Sequence, residues 1–319
     1  IWKKSKSCDP KKGDKMVRRF LLVMGILFVM GGISGCGSNE SSLQEQYQKE
    51  LETQSKMNSG TIDLTIDSLS IRSDALKSSE ERHLMEEMIE KQFTGVTLKG
   101  TYLRDKKSEN QSAKFELDAF GEKTPVTLYS EKKTKSVFVS AESYNAFMMI
   151  GSQFFSLPVH SIDTEEITGK YLVMTPKEVV DATEITNRSV IEYVEKLSEY
   201  VESLDKDSFK KDGDKLSHSF TKKEIENFLS KQKDQQEKYV DEIKKFDKLT
   251  IDLTLDTKKH TKNGKITAKK TANGSSTTIK MTMKQSVKNS DKTVKLPKNA
   301  DRIDFEDFLQ QGISSVQVK

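Results

Sequence analysis

Thr61-Ile62-Asp63-Leu64-Thr65-Ile66-Asp67 decides the architecture. Ile62, Leu64 and Ile66 recur at every second position, with Asp63, Thr65 and Asp67 between them. Successive side chains of a strand point to opposite faces, so this segment is a strand with one apolar and one wetted face. One-sided burial of that kind belongs to antiparallel sheets. The same rhythm continues outward. Val96–Tyr102 alternates, and Ala113, Phe115, Leu117 and Ala119 alternate with Lys114, Glu116 and Asp118. Val126 and Leu128 follow Pro125, and residues 136–140 and 169–174 read as further strands. Charged turns such as Lys132-Lys133-Thr134-Lys135 join them into a meander.

A second set of strands lies towards the C-terminus. Thr250-Ile251-Asp252-Leu253-Thr254 repeats residues 61–65 identically. Alternating strands recur cheaply, so coincidence is preferred to duplication. Asn263-Gly264 and Asn273-Gly274 read as type I′ hairpin turns. They bracket a strand at 266–270 and precede Thr277, Ile279, Met281 and Met283. Val294-Lys295-Leu296-Pro297 is expected to close the sheet, and Phe305–Leu309 to form a terminal helix.

Before, within and after the first set the period changes to that of helices. Leu43, Tyr47 and Leu51 place a helix over 43–57, residues 74–92 are helix-like, and Val190, Ile191, Val194, Leu197, Val201 and Leu204 fall at helix spacing. After a short strand near 216–220, Thr221-Lys222-Lys223-Glu224 has the form of a capping box. It is expected to open one long amphipathic helix reaching Phe246, with a polar centre at Lys231–Lys238.

The first stretch is of another kind. Lys11–Met16 can be encoded by a purine-rich ribosome-binding sequence and a start codon. Residues 1–15 are therefore expected to be untranslated leader, the alternative being a truncated or appended extension. Arg18 and Arg19 precede an uncharged apolar run, Phe20–Ile33, too short for a span of about 20 residues. Positive flank, apolar core and small residues at a cut make an export signal over 16–35. Residues 36–44, rich in Gly and Ser, read as a flexible tether.

Ile33-Ser34-Gly35-Cys36 resembles the lipobox of bacterial lipoproteins. The resemblance implies cleavage before Cys36 and a diacylglycerol on its thiol, which would bind the chain to the outer face of a cell membrane. Two acyl chains, at about 0.8 kcal/mol per buried CH₂, hold a protein stably on a bilayer.

Composition agrees with export. The chain has 319 residues, with 53 Lys+Arg against 49 Asp+Glu, a net charge of +4. Residues 1–35 hold eight of the bases and two of the acids, so the remainder carries 45 against 47 and a charge near −2. The apparent basicity belongs to the leader and signal. With charged residues at 32%, the chain is not a polytopic membrane protein. Its two cysteines are Cys8 and Cys36, so no thiol or disulfide chemistry is expected in the exported part.

The order of elements over 43–300 resembles the LolA/LppX-like lipoprotein fold in its low-GC Gram-positive variants. The resemblance implies an α+β domain over 45–310 with a helical insertion around 180–246. In it a strongly curved antiparallel sheet, a half-open barrel, wraps or is flanked by helices around an apolar interior. Several members bind acyl chains or lipoproteins there, and the family brings no catalytic residues. This chain departs from a typical carrier in its Thr- and Lys-rich strands and its polar long helix.

Few residues suggest chemistry. His83, His160, His218 and His260 are scattered without carboxylate partners in sequence, so no metal is expected and surface positions are. Asp63 with Asp67 and Asp252 with Asp256 are expected to solvate an outer face. Lysines over 265–284 alternate with Thr rather than aromatics, so nucleic-acid binding is not expected. The candidate ligand site is the apolar run Phe147, Met148, Met149, Ile150, Phe154, Phe155 and Leu157, where Met and Phe adapt to irregular acyl shapes; the alternative is plain core. The expected function is non-enzymatic, without cofactor: binding of a hydrophobic ligand or an envelope partner. The alternatives are an adhesive module contacting proteins or wall polymers through its sheet, and an envelope chaperone.

Overall fold

A computed structural model describes residues 42–73, 79–119, 121–143, 167–177, 197–198, 200–231, 237–272, 274–305 and 307–308. Its centre is the opening strand. Ile62 and Leu64 are buried on one face, as their alternation requires. Strand β1 (Ser59–Ser73) pairs antiparallel with β2 (Thr97–Arg104) on one side and with β11 (Ser275–Lys288) on the other. From β2 the sheet runs outward through β3 (Gln111–Ala119), β4 (Glu122–Ser130), β5 (Val137–Ser140), β6 (Tyr171–Met174) and β12 (Arg302–Asp304). From β11 it runs through β10 (Thr261–Ala272), β9 (Lys248–Asp256), β8 (Lys215–Thr221) and β7 (Lys210–Asp212). Among the described residues this is one open sheet of twelve strands with edges at β12 and β7. All pairings are antiparallel except β12 against β6.

β1 keeps its apolar side on one face by an irregularity. Its apolar residues are Ile62, Leu64, Ile66, Leu69 and Ile71, and the spacing widens once. The register against β11 slips between Ile66 and Ser68, a bulge at Asp67. The extra residue restores the inward parity of Leu69 and Ile71. Pro125 stands inside β4, opposite Glu116 of β3. Ladder pairing with β5 begins only at Leu128, so no β5 partner loses a donor there.

Helices cover the half of the inner face that lies beyond β1 towards β8. Helix α1 (Leu43–Lys56) opens with a capping box of Ser42 and Glu45. It buries Tyr47 and Leu51 against Leu64, Met281, Met283 and Leu253. Leu197, Tyr200 and Val201, with Phe228, Leu229 and Ile243, complete this core. Gln44 fixes α1 to the turn after residue 200 by donating from Nε2 to the carbonyls of Val201, Glu202 and Leu204 at 2.7, 3.1 and 2.8 Å. A smaller core of Ala141, Ile167, Leu172 and Phe308 sits at the β12 end. Helix α2 (Ser79–Phe93) leaves Leu84 and Met88 exposed.

Three expectations are corrected. The single long helix after Thr221 is two, α3 (Lys222–Ser230) and α4 (Glu237–Lys244), and the chain reverses between them. Lys222 Nζ, at the start of α3, reaches the carbonyl of Lys244, at the end of α4, at 3.0 Å. A continuous helix would hold those ends about 33 Å apart at 1.5 Å per residue. The polar run from Lys231 offered no stripe to hold such a helix on the sheet, whereas the capping box of Thr221 and Glu224 forms as read. Asn263-Gly264 is no turn: both residues lie inside β10, and the chain turns over Thr257–His260. Gly264 sits flat against Met283 and Leu253. Val294–Pro297 is not a strand; the sheet closes instead with β12. The Val294 amide is taken by Asp105 Oδ2 at 3.2 Å.

Candidate functional site

The two halves of the inner face differ. Beneath α1, α3 and α4 it is filled. Over β2–β4 it carries Leu98, Ala113, Phe115, Leu117 and Leu128, all half-buried, beside the fully buried Val126 and Ala119. Two glycines shape this region. Phe115 lies over Gly100 and Tyr102 over Gly60, its cross-strand partner. A Cβ at Gly60 would meet the Tyr102 hydroxyl at 2.8 Å. Glycine here lets an aromatic ring lie flat on the neighbouring backbone.

A polar seam crosses the strands from the filled half into the half-filled one. Lys262 on β10, only 1% exposed, stands opposite Gln285 on β11 and Leu255 on β9. Gln285 Nε2 donates to Tyr102 Oη at 3.1 Å. From α1 above, Glu50 approaches, and its Oε1 contacts His260 Nδ1 at 3.0 Å and accepts from Gln54 Nε2 at 2.8 Å. Loss of water pushes the Lys262 ammonium down to about 7, against the pull of the Glu50 carboxylate. Burial pushes the Tyr102 phenol up to about 12. An amine that is neutral near pH 7 is a nucleophile, but this one lies under α1.

A second buried group is His218 on β8. It stacks on Phe209 with centroids 4.5 Å apart and meets the edge of Phe220. Its Nδ1 contacts Ser208 Oγ at 3.2 Å, and its Nε2 is 3.6 Å from Glu224 Oε1. Desolvation lowers its pKa. The expectation of surface histidines thus fails for His218, and His260 has a carboxylate partner after all. That partner, Glu50, is 210 positions away, beyond the reach of any spacing rule. His83 is exposed.

The acids behave mostly as expected. Asp63 faces outward, 3.9 Å from Lys99 Nζ, and Asp67 Oδ2 accepts from Thr282 Oγ1 at 2.7 Å. Asp252 is exposed. Asp256 differs: it is buried, and its carboxylate caps the β9–β10 turn by accepting from the Lys258 and Lys259 amides. Those donors hold it below the usual carboxylate range. Cys36, His160 and the apolar run Phe147–Leu157 lie outside the described residues.

Lys262 had a legible signal. Ile266 and Ala268 face inward, and counting back by two passes Gly264 and reaches Lys262. Reading Asn263-Gly264 as a turn ended that count too early.

No protein-family model matches the chain, and no curated protein matches it.

Proposed function

We propose that the chain is a lipid-anchored extracytoplasmic protein that binds rather than catalyses. In this reading it is held to the membrane through a diacylglycerol on Cys36. The inner face of its sheet receives a hydrophobic ligand, a lipid or acyl chain, or an apolar segment of an envelope partner. In this reading the arrangement is of the LolA/LppX type, an open sheet whose apolar face, among the described residues, is closed by helices on one side. The observation that carries it is the asymmetry of that face. The β8–β11 half is packed under α1, α3 and α4, while Leu98, Phe115, Leu117 and Leu128 on β2–β4 keep part of their surface accessible. A row of half-covered apolar side chains on a preformed sheet suits an acyl chain. The seam of Lys262, Gln285 and Tyr102 gives the row a polar end.

The test has two arms. Solvent extraction of the purified protein, followed by mass spectrometry, is expected to release a reproducible lipid. Leu117→Asp, which places a charge in the row, is expected to abolish that recovery without unfolding the protein. Protein repeatedly free of lipid would overturn the carrier reading. Metabolic labelling with a fatty acid is expected to mark the wild type and not Cys36→Ser, and equal labelling of both would overturn the anchor.

A further inference from the structure

The outer face of β10 and β11 carries a pattern that inner-face binding does not use. Lys265, Lys269, Lys280 and Lys284 point outward and are exposed. The pairing sets Lys265 opposite Thr282, Lys280 opposite Thr267, and Lys269 opposite Thr278. Lys284 stands opposite Asn263, so no lysine of the four faces another across this pair of strands and three of them face a threonine hydroxyl. Read diagonally, Lys284, Lys265, Lys280 and Lys269 form a zigzag along the hairpin, with steps of roughly 7 Å between diagonal neighbours.

Elsewhere on the sheet, lysines pair with acids: Lys99 with Asp63, and Lys123 with Glu116 at 2.9 Å. None of the four zigzag lysines forms an ion pair among the described residues. Acids flank the line without closing on it. Asp252 on β9 is opposite Lys265, Asp63 on β1 is opposite Lys284, and Asp67 is engaged by Thr282.

We propose that this zigzag binds an extended polyol phosphate polymer, one phosphate per lysine, with the threonine hydroxyls meeting the polyol. The spacing fits. A peptide residue, three backbone bonds, spans at most about 3.5 Å, so a glycerol phosphate repeat of six backbone bonds spans about 7 Å. Single-stranded nucleic acid shares the charge spacing but needs aromatic platforms for its bases. The cross-strand positions beside these lysines hold Thr282, Thr267, Thr278, Ser68, Asn263, Asp252, Asp63 and Lys248, none of them aromatic. The choice of a wall-type polymer over nucleic acid rests also on the exported location proposed above.

The experiment titrates the full chain with a synthetic poly(glycerol phosphate) decamer near 0.15 M salt. Single-stranded DNA of equal charge and glycerol phosphate monomer serve as comparisons. The wild type is expected to bind the decamer at least tenfold more tightly than either comparison. The variant with Lys265, Lys269, Lys280 and Lys284 all changed to Gln is expected to bind at least tenfold more weakly. Its slope of log affinity against log salt should fall by about three, at roughly 0.7 per neutralised charge of a flexible polyanion. A matched variant changing Lys106, Lys132, Lys206 and Lys298 to Gln should bind like wild type, and circular dichroism verifies that both variants fold. Equal loss in the two variants, equal binding of DNA, or no binding at this salt overturns the proposal. Lipid recovery and fatty-acid labelling are measured separately, so failure here leaves the inner-face reading standing or falling on its own results.

Discussion

Replacing Lys262 by Met removes a buried ammonium and keeps the length of the side chain. In the folded chain this lysine loses its proton near pH 7, whereas an unfolded lysine holds it to about 10.4. Between those values the unfolded state binds more protons, so stability rises with pH. The slope is at most about 1.4 kcal/mol per pH unit for one proton, and integration from pH 7 to 9.5 gives a gain of about 3 kcal/mol. That is a large part of the 5–15 kcal/mol typical of a whole domain. The upper end of the range is set by Tyr47 and Tyr102, whose pKa values burial raises. Their unfolded counterparts ionise first, and stability falls again above about pH 10. Urea titrations of wild type and Lys262→Met at pH 7, 8, 9 and 9.5 provide the assay. The wild type should gain stability across the series. The variant should stay nearly flat and be the more stable of the two at pH 7. A wild type that is flat or loses stability over this range would refute the reasoning, as would a variant that keeps the rise.

On the acid side, His218 is held neutral by desolvation, so its contribution is lost as pH falls through about 6.5, the ordinary histidine value. His218→Phe should blunt that loss in thermal melts between pH 7 and 5. Thr221→Ala removes the oxygen that accepts from the Glu224 amide at 3.3 Å and should cost about 1 kcal/mol in urea unfolding. Gln44→Leu removes a donor shared by three carbonyls, of which Val201 keeps the Leu204 amide, and should destabilise by about 2 kcal/mol; amide exchange should rise at residues 200–204. Deleting Asp67 removes only the bulged residue and keeps Leu69 and Ile71 inward, so it should be mild. Deleting Asp63 reverses the parity of half the strand and should abolish cooperative unfolding.

The strands of the first meander were legible because each alternates without interruption between turn residues. The pairing of β1 with β11 was not, since no local signal joins residues more than 200 positions apart. The bulge at Asp67 is visible in the one widened step from Ile66 to Leu69, although alternation was read only as far as Asp67. The helical hairpin of α3 and α4 was missed because two apolar stripes of similar period look like one when the break between them is polar rather than Gly or Pro. The seam escaped for a related reason. Its members, Glu50, Tyr102, His260, Lys262 and Gln285, are ordinary surface residue types gathered from four elements or their turns, and only the register of β10 turns Lys262 inward.

The place of β1 has a consequence for how the chain acquires its structure. Its β2 edge finds a partner within about 40 residues, but its β11 edge must wait for residues 275–288. Until then the middle of the final sheet is a boundary, with a row of open amides and carbonyls beside Ile62 and Leu64. Loop closure over such a separation is slow, and an open apolar edge pairs readily with other chains. The step that joins β11 to β1, at the centre of the sheet, is therefore where time and misassembly concentrate.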